Sequence, residues 1–193
     1  MEFLLTISSY LLGSVPSGFI IGALSGVDVR NAGSGNIGAT NVARLLGKRL
    51  GLLTLVADVA KGFVPVLLAE KLGMSDVGIA LVAMAAFLGH LYPLFLRFQG
   101  GKGVATAFGA LLGVAPPATL VLLVVFGIAV LFCRIVSLGS IAAALAAPFA
   151  LWALDYSAVL VLMSAFLGGM IVLRHRENIK RLLDGTEPRF GSR

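Results

Sequence analysis

The stretch Asn31-Ala-Gly-Ser-Gly-Asn-Ile-Gly-Ala-Thr-Asn-Val-Ala-Arg44 is polar and glycine-rich, whereas the sequence on both sides of it is mostly apolar. We call it the glycine loop. Its glycines tolerate positive φ and let backbone N–H groups approach a ligand closely. Arg44 adds a fork-shaped cation suited to phosphate. The other residues that fit such an anion site are Ser34, Gly35, Asn36, Gly38, Thr40 and Asn41.

A short helix is predicted at the end of the glycine loop, because no helix breaker lies between Gly38 and Gly47. Its free N–H groups would face the glycine turn and favour an anion there. Two nucleotide-binding patterns fit only in part. Gly33–Gly38 matches G-x-G-x-x-G, but an apolar run precedes it rather than a βαβ strand. A Walker loop is excluded because Ala39 occupies the lysine position.

The composition indicates an integral membrane protein with several spans. Of its 193 residues, 59% are hydrophobic and only 12% are charged, far fewer charges than the quarter typical of soluble domains. We expect an all-α protein with one domain over residues 1–193. The net charge of +6 is not attributed to nucleic-acid binding. A single cysteine excludes an intrachain disulfide. Because the chain has only one cysteine and two histidines, we expect no metal site, and we expect no organic cofactor.

Seven apolar runs are candidate transmembrane helices, although Val104–Val114 is shorter than the roughly 20 residues that an upright span needs. Residues 104–132 form either one broken span, giving six spans, or two short helices joined at Pro116–Pro117, giving seven. The runs are Phe3–Leu24, Leu50–Ala69, Val77–Leu96, Val104–Val114, Ala118–Phe132, Ser140–Leu154 and Ser157–Leu173.

Charge placement favours seven spans, with the N-terminus outside and the C-terminus in the cytoplasm. That topology leaves only Lys71 on the outer side, as the positive-inside rule prefers. The basic residues that it places in the cytoplasm are Arg30, Arg44, Lys48, Arg49, Arg97, Lys102, Arg134, Arg174, Arg176, Lys180, Arg181, Arg189 and Arg193.

Two further polar segments then lie on the cytoplasmic side. Gln99-Gly-Gly-Lys-Gly-Val-Ala-Thr106 surrounds Lys102 with glycines, so backbone N–H groups and an ammonium can address one anion. We call Gln99–Gly103 the lysine loop. The segment Arg174-His-Arg-Glu-Asn-Ile-Lys-Arg181, the basic segment, is predicted to continue the last helix. His175 and Asn178 would share one helical face, and Glu177 would pair with Arg181.

Four isolated polar residues have more ordinary explanations. Asp58 and Lys61 lie three apart within the second span, and a mutually paired structural role is favoured over a functional one. His90 in the third span is predicted to make a hydrogen bond between helices. Ser140, taken alone, is predicted to cap the sixth helix.

Together the three polar segments suit a substrate with a phosphate head and an apolar tail. They also resemble the motifs of the bacterial acyl-phosphate:glycerol-3-phosphate acyltransferases, the PlsY family. The matching stretches are Gly33–Arg44, Gly89-His-Leu-Tyr-Pro93, Gly100-Gly-Lys-Gly-Val-Ala-Thr106 and Arg174-His-Arg-Glu-Asn178. The resemblance covers essentially the whole chain.

The resemblance implies a seven-helix enzyme of the bacterial inner membrane with its active site at the cytoplasmic face. Such an enzyme transfers an acyl group from acyl phosphate to the 1-hydroxyl of sn-glycerol 3-phosphate, the first acylation of phospholipid synthesis. The resemblance implies site roles for Ser34, Arg44, Lys102, Ser140, His175 and Asn178. Gly101 and Gly103 are expected to help Lys102 hold phosphate. We assign catalysis to His175, Ser140 and Asn178.

Several questions remain open at this point. The base that deprotonates the hydroxyl is either His175 or the donor's own phosphate. Acyl phosphate, glycerol 3-phosphate and membrane lipids are the expected partners, and an enzyme that forms acyl phosphate is a further candidate. A multi-span phosphate or organophosphate transporter is the main alternative, although its polar residues should run through the membrane midplane. A non-enzymatic lipid-binding protein would not explain the glycines.

Overall fold

The computed structural model describes residues 2–189 and 191, and in this part of the chain every regular element is helical. Arg193, which we placed among the cytoplasmic basic residues, lies outside the described residues. The α-helices are α1 Glu2–Gly13, α2 Ser17–Leu24, α3 Ala39–Leu46, α4 Lys48–Lys71, α5 Asp76–Leu91, α6 Val104–Val114, α7 Pro116–Cys133, α8 Val136–Ala153, α9 Ala158–Arg174 and α10 Arg176–Leu183, with a 3-10 turn at Leu94–Leu96.

Five helical segments among the described residues are long and apolar enough to cross a membrane, or six if the bent pair α9–α10 counts as one span. They carry many exposed apolar side chains, such as Leu131 and Phe132 of α7, which are 75% and 80% exposed. These are the features of an integral membrane protein with several spans. Helix α6, with 11 residues, is shorter than these five segments and ends just before Ala115.

The chain divides into two compact units, one ending at Val114 and the other beginning at Ala115. The first unit contains α1 to α6, and the second contains α7 to α10. In the first unit, glycines let helices touch backbone to backbone. A Cβ at Gly62 of α4 would overlap the carbonyl oxygen of Thr106 in α6, and one at Gly109 of α6 would overlap that of Val59. These contacts fix α4 against α6.

The first apolar run is one candidate span, Glu2–Leu24, as predicted, but it is interrupted between α1 and α2, where Pro16 lacks an N–H and disfavours helical conformation at Val15. Two predictions about the later helices were wrong. The basic segment does not simply continue the last helix, since α10 is bent by 59° from α9. Ser140 is not a cap: α8 begins at Val136, and the Ser140 hydroxyl donates to the Val136 carbonyl at 3.0 Å.

Candidate functional site

The glycine loop is shaped by one buried amide, that of Asn41, which is 2% exposed. Its Nδ2 donates to the carbonyls of Val29, Ala32 and Asn36 at 3.0, 3.1 and 2.9 Å. Its Oδ1 accepts from the Ser34 N–H at 2.9 Å. The amide therefore ties together backbone groups that no helix or strand would satisfy. Our assignment of Asn41 as a phosphate ligand stays a prediction.

The predicted short helix is confirmed as α3, which has no side-chain cap at its N-terminus. Its apolar face anchors the loop, because Val42 packs with Ile37, Val29 and Leu96 in one buried cluster. The opposite face presents Thr40 and Arg44, and with Ser34 and Gly35 these residues are exposed. Asn36 Oδ1 accepts from the Gly38 N–H at 2.8 Å, which closes the turn into α3. The loop thus displays donors on a rigid base.

The lysine loop follows an unusual turn in which Arg97 and Phe98, neither of them glycine, both have positive φ, at 50° and 64°. The Gly101 N–H donates to the His90 carbonyl at 3.1 Å, and Gly103, with a φ of 83°, leads into α6. Lys102 is half-buried. The chain therefore reverses direction while presenting Lys102 between two buried glycines.

The first unit brings the glycine loop and the lysine loop near each other. Leu96, just before the lysine loop, packs in the same cluster as Ile37 and Val42. Arg30 at the base of the glycine loop lines an open pocket of about 390 Å³ together with Phe95, Leu96, Arg97 and Gln99.

In the second unit His175 lies at the junction of α9 and α10 and is 3% exposed. Its Nδ1 is 2.8 Å from the Ile171 carbonyl. A carbonyl can only accept a hydrogen bond, so Nδ1 carries the hydrogen, and in the neutral ring Nε2 holds the lone pair. The helix junction thus sets the ring orientation and leaves Nε2 as the basic nitrogen.

Asn178 is held by a residue that we did not predict, Glu187. The side chain of Glu187 is 7% exposed and accepts from Ser137 Oγ at 2.6 Å, Asn178 Nδ2 at 2.6 Å and Arg181 Nε at 2.7 Å. Arg181 therefore pairs with Glu187 and not with Glu177 as predicted. Burial raises the pKa of Glu187, but these three hydrogen bonds and the Arg181 charge outweigh it and hold the pKa below its ordinary value.

A helix-ending turn brings Glu187 back to α10. Gly185 has a φ of 69°, its N–H donates to the Leu182 carbonyl, and the Thr186 N–H donates to the Arg181 carbonyl. This is the Schellman arrangement, which favours glycine at the left-handed position. The Asp-Gly-Thr-Glu order was the available sequence signal, since a glycine just after α10 predicts that the chain turns back.

The described residues include no group of three or more His, Cys, Asp or Glu side chains that could hold a metal ion. Ser140 is buried in α8 of the second unit, as are His175 and Asn178 in and next to α10. The site assignments stay predictions.

Comparison with known proteins decides the family. The glycerol-3-phosphate acyltransferase family matches residues 3–185. The chain belongs to this family. The glycerol-3-phosphate acyltransferase of Geobacter sulfurreducens is 51% identical over 189 residues, which cover 98% of this chain and 97% of the relative. That of Geotalea daltonii is 48% identical over 189 residues, with the same coverage. The resemblance seen in the motifs is therefore confirmed, as is the prediction of an acyltransferase enzyme.

Two crystal structures from the family have the same fold. PlsY, an integral membrane glycerol 3-phosphate acyltransferase, in its glycerol 3-phosphate form has a TM-score of 0.96 and 46% identity, over 98% of this chain and 96% of that one. Its lysophosphatidic acid form has a TM-score of 0.93 and 45% identity, over 98% and 95%. These family members favour the acyltransferase over the transporter alternative.

Proposed function

We propose that this protein transfers a fatty acyl group from acyl phosphate to the 1-hydroxyl of sn-glycerol 3-phosphate, giving 1-acylglycerol 3-phosphate and phosphate. The observation that carries the proposal is the glycine loop, whose exposed donors surround the uncapped N-terminus of α3 with Arg44 one turn further on. A phosphate monoester carries about −1.5 to −2 charges near neutrality, so two phosphorylated substrates require several cations and N–H donors.

The roles follow from the chemistry of the side chains. Arg44 and Lys102 hold phosphate, the first through a bidentate fork and the second as a point charge among glycines. Acyl phosphate is an activated donor, and phosphate leaves as a stable anion, so no covalent acyl-enzyme is needed. The enzyme aligns the hydroxyl with the carbonyl carbon and stabilises the charge that develops on oxygen.

The hydroxyl proton goes either to Nε2 of His175 or to an oxygen of the donor phosphate. The hydrogen bond from Nδ1 to Ile171 favours the first, because it leaves Nε2 as the acceptor. Asn178, fixed by Glu187, and Ser140 orient the reacting groups. No metal takes part, and turnover should persist in the presence of a chelator.

We further propose seven membrane crossings, with the N-terminus outside and the three polar segments on the cytoplasmic side of the bacterial inner membrane. The basic residues of the glycine loop, lysine loop and basic segment then obey the positive-inside rule. Labelling of single introduced cysteines in sealed vesicles tests this, in a background where the exposed Cys133 is replaced by serine. A label on the exposed position Gln99→Cys that is reached from outside would refute the topology.

The reaction itself is tested with purified protein given glycerol 3-phosphate and one donor at a time. We expect phosphate release and lysophosphatidic acid with acyl phosphate, and neither acyl-CoA nor acyl carrier protein should replace it directly. Arg44→Ala and Lys102→Ala should each raise KM roughly 10- to 100-fold, as loss of a charge-assisted hydrogen bond to a buried anion does. Near-wild-type kinetics in both variants would overturn the site.

A further inference from the structure

We propose that the buried side chains of Asp58, Lys61 and His90 position the lysine loop, and through it Lys102, for the anion that it binds. The inference rests on the proposed function, because it takes Lys102 as a phosphate ligand. The three residues lie in α4 and α5 of the first unit, and each is at most 4% exposed.

The cost of burying Asp58 and Lys61 is the first argument for a role beyond packing. Lys61 Nζ lies 3.0 Å from Asp58 Oδ1 within a helix otherwise suited to lipid. Apolar replacements for a buried ion pair are often neutral or stabilising, so such a pair is weak evidence of stability. Ionisable residues in membrane helices usually serve function. The question is therefore what the pair holds in place.

One end of the pair reaches the break between α1 and α2. Lys61 Nζ donates to the Val15 carbonyl at 3.0 Å. The same carbonyl also accepts from the Ser17 N–H at 3.0 Å, so the ammonium is one of two donors to it at this break. Lys61 Nζ is therefore held between this carbonyl and Asp58.

The other end reaches the lysine loop through His90. The His90 Nδ1 lies 3.8 Å from Asp58 Oδ1, across the interface of α5 and α4. Helix α5 ends at Leu91, so the His90 carbonyl has no helical partner, and the Gly101 N–H donates to it at 3.1 Å. The ring itself lies against the loop, because a Cβ at Gly101 would overlap His90 Nε2.

Gly100 shows the same close fit, since a Cβ there would overlap the His90 carbonyl oxygen. Gly100 and Gly101 therefore contact His90 directly, with no side chain between them. A shift of the imidazole moves the backbone that carries Lys102. At 3.8 Å, beyond hydrogen-bond distance, the Asp58 carboxylate acts on that imidazole through its charge, and Lys61, 3.0 Å from the same oxygen, holds the carboxylate.

The test measures KM and kcat for each substrate in Asp58→Asn/Lys61→Met, which removes both charges together and leaves no unpaired one. We expect KM for the anion at Lys102 to rise roughly 10-fold, within the 10²-fold that a 1 Å misplacement can cost, while kcat changes less than threefold. His90→Gln, which keeps the ion pair, should raise KM by a similar factor. It is the variant to measure if Asp58→Asn/Lys61→Met does not fold. Thr54→Val, a buried substitution elsewhere in α4, is the matched control and should leave KM unchanged.

The decisive comparison repeats these substitutions in a Lys102→Ala background. There they should raise KM no further, because the residue that they position is gone. Wild-type KM in both Asp58→Asn/Lys61→Met and His90→Gln, or an equal increase with and without Lys102, would overturn the inference. If Lys102→Ala itself keeps wild-type KM, the proposed role of the lysine loop fails instead.

Discussion

The glycine loop and the basic segment are each organised by one partly or wholly buried side chain, but in different ways. Asn41 binds four backbone groups, all within twelve residues of itself. Glu187 binds three side chains, one of them 50 residues away in α8. The amide shapes a backbone, whereas the carboxylate orients other side chains.

The chemistry of the two groups explains the difference. An amide both donates and accepts, so it can satisfy the mixed N–H and carbonyl groups of an irregular loop. An ionised carboxylate only accepts, and its hydrogen bonds are stronger because it is charged. Glu187 therefore accepts hydrogen bonds from donors such as Arg181 and Asn178. The strength of these bonds depends on pH, because the carboxylate can be protonated, whereas the hydrogen bonds of the Asn41 amide do not depend on pH in this way.

The largest expected effect is on kcat and comes from replacing His175, since we assign this residue to the chemical step and not to binding in the glycine loop. If His175 is the base, His175→Ala should lower kcat by about 10²–10⁴ and flatten the acid limb of the pH–rate profile. His175→Asn is the companion variant. An unchanged acid limb in His175→Asn, with substantial activity, would transfer the role of base to the donor phosphate.

Loss of the Asn41 amide should affect binding. Asn41→Ala leaves the Ser34 N–H and the Val29, Ala32 and Asn36 carbonyls without their partner, so the loop loses its shape. We expect KM to rise roughly 10- to 100-fold, equivalent to one or two lost charge-assisted contacts. Asn31→Ala, on the exposed part of the loop, is the control. Equal KM values in the two variants would show that Asn41 does not organise the site.

Neutralising Glu187 should have a smaller effect with a characteristic pH dependence. Because the folded-state pKa is lowered, the charge stabilises the fold above the ordinary value of 4.5, and this contribution is lost as pH falls through the lowered pKa. Glu187→Gln should lower Tm by about 2–4 °C at pH 7 and lower kcat several-fold.

The same variant should converge with the wild type in thermal stability as pH falls below 4.5 and through the lowered pKa of Glu187. Glu187→Asp keeps the charge and serves as the control, with the pH dependence retained. A difference in Tm between wild type and Glu187→Gln that stays constant as pH falls well below 4.5 would show that packing, and not the charge, is what Glu187 contributes.

The smallest effect is expected for an exposed carboxylate. Hydrogen bonds from the Arg30 side chain and backbone hold the pKa of Asp28 below its usual value, but the pair is open to solvent. Exposed ion pairs contribute little. Asp28→Asn should leave Tm unchanged within error and alter KM less than twofold. A loss comparable to that of Glu187→Gln would show that burial is not what separates the two carboxylates.

The sequence predicted those features that depend on local pattern. Helix α6 begins and ends at the predicted residues, and α3 begins right after Gly38, because glycine and proline mark these ends. The pairing of Asp58 with Lys61 followed from their helical spacing and is confirmed.

Contacts between distant residues were not predictable in the same way. Glu187 meets Ser137 only because of the turn at Gly185 and the bend at His175, and neither the bend angle nor the register of α8 is encoded in local periodicity. The role of Asn41 was missed for a related reason. The sequence showed a polar residue in a polar loop but not whether it points to solvent or to the backbone around it.

The turn at Gly185 has a practical consequence for anyone handling this protein. A short hydrophilic end after the last helix is the usual place to trim a membrane protein or attach a reporter. Here a cut after Leu183 deletes Glu187 and with it the partner of Asn178 and Arg181. A fusion or truncation that keeps the chain through Arg189 retains the turn and Glu187. A cut before Glu187 should instead lower activity in the same way as an active-site mutation, because Asn178 and Arg181 lose their partner.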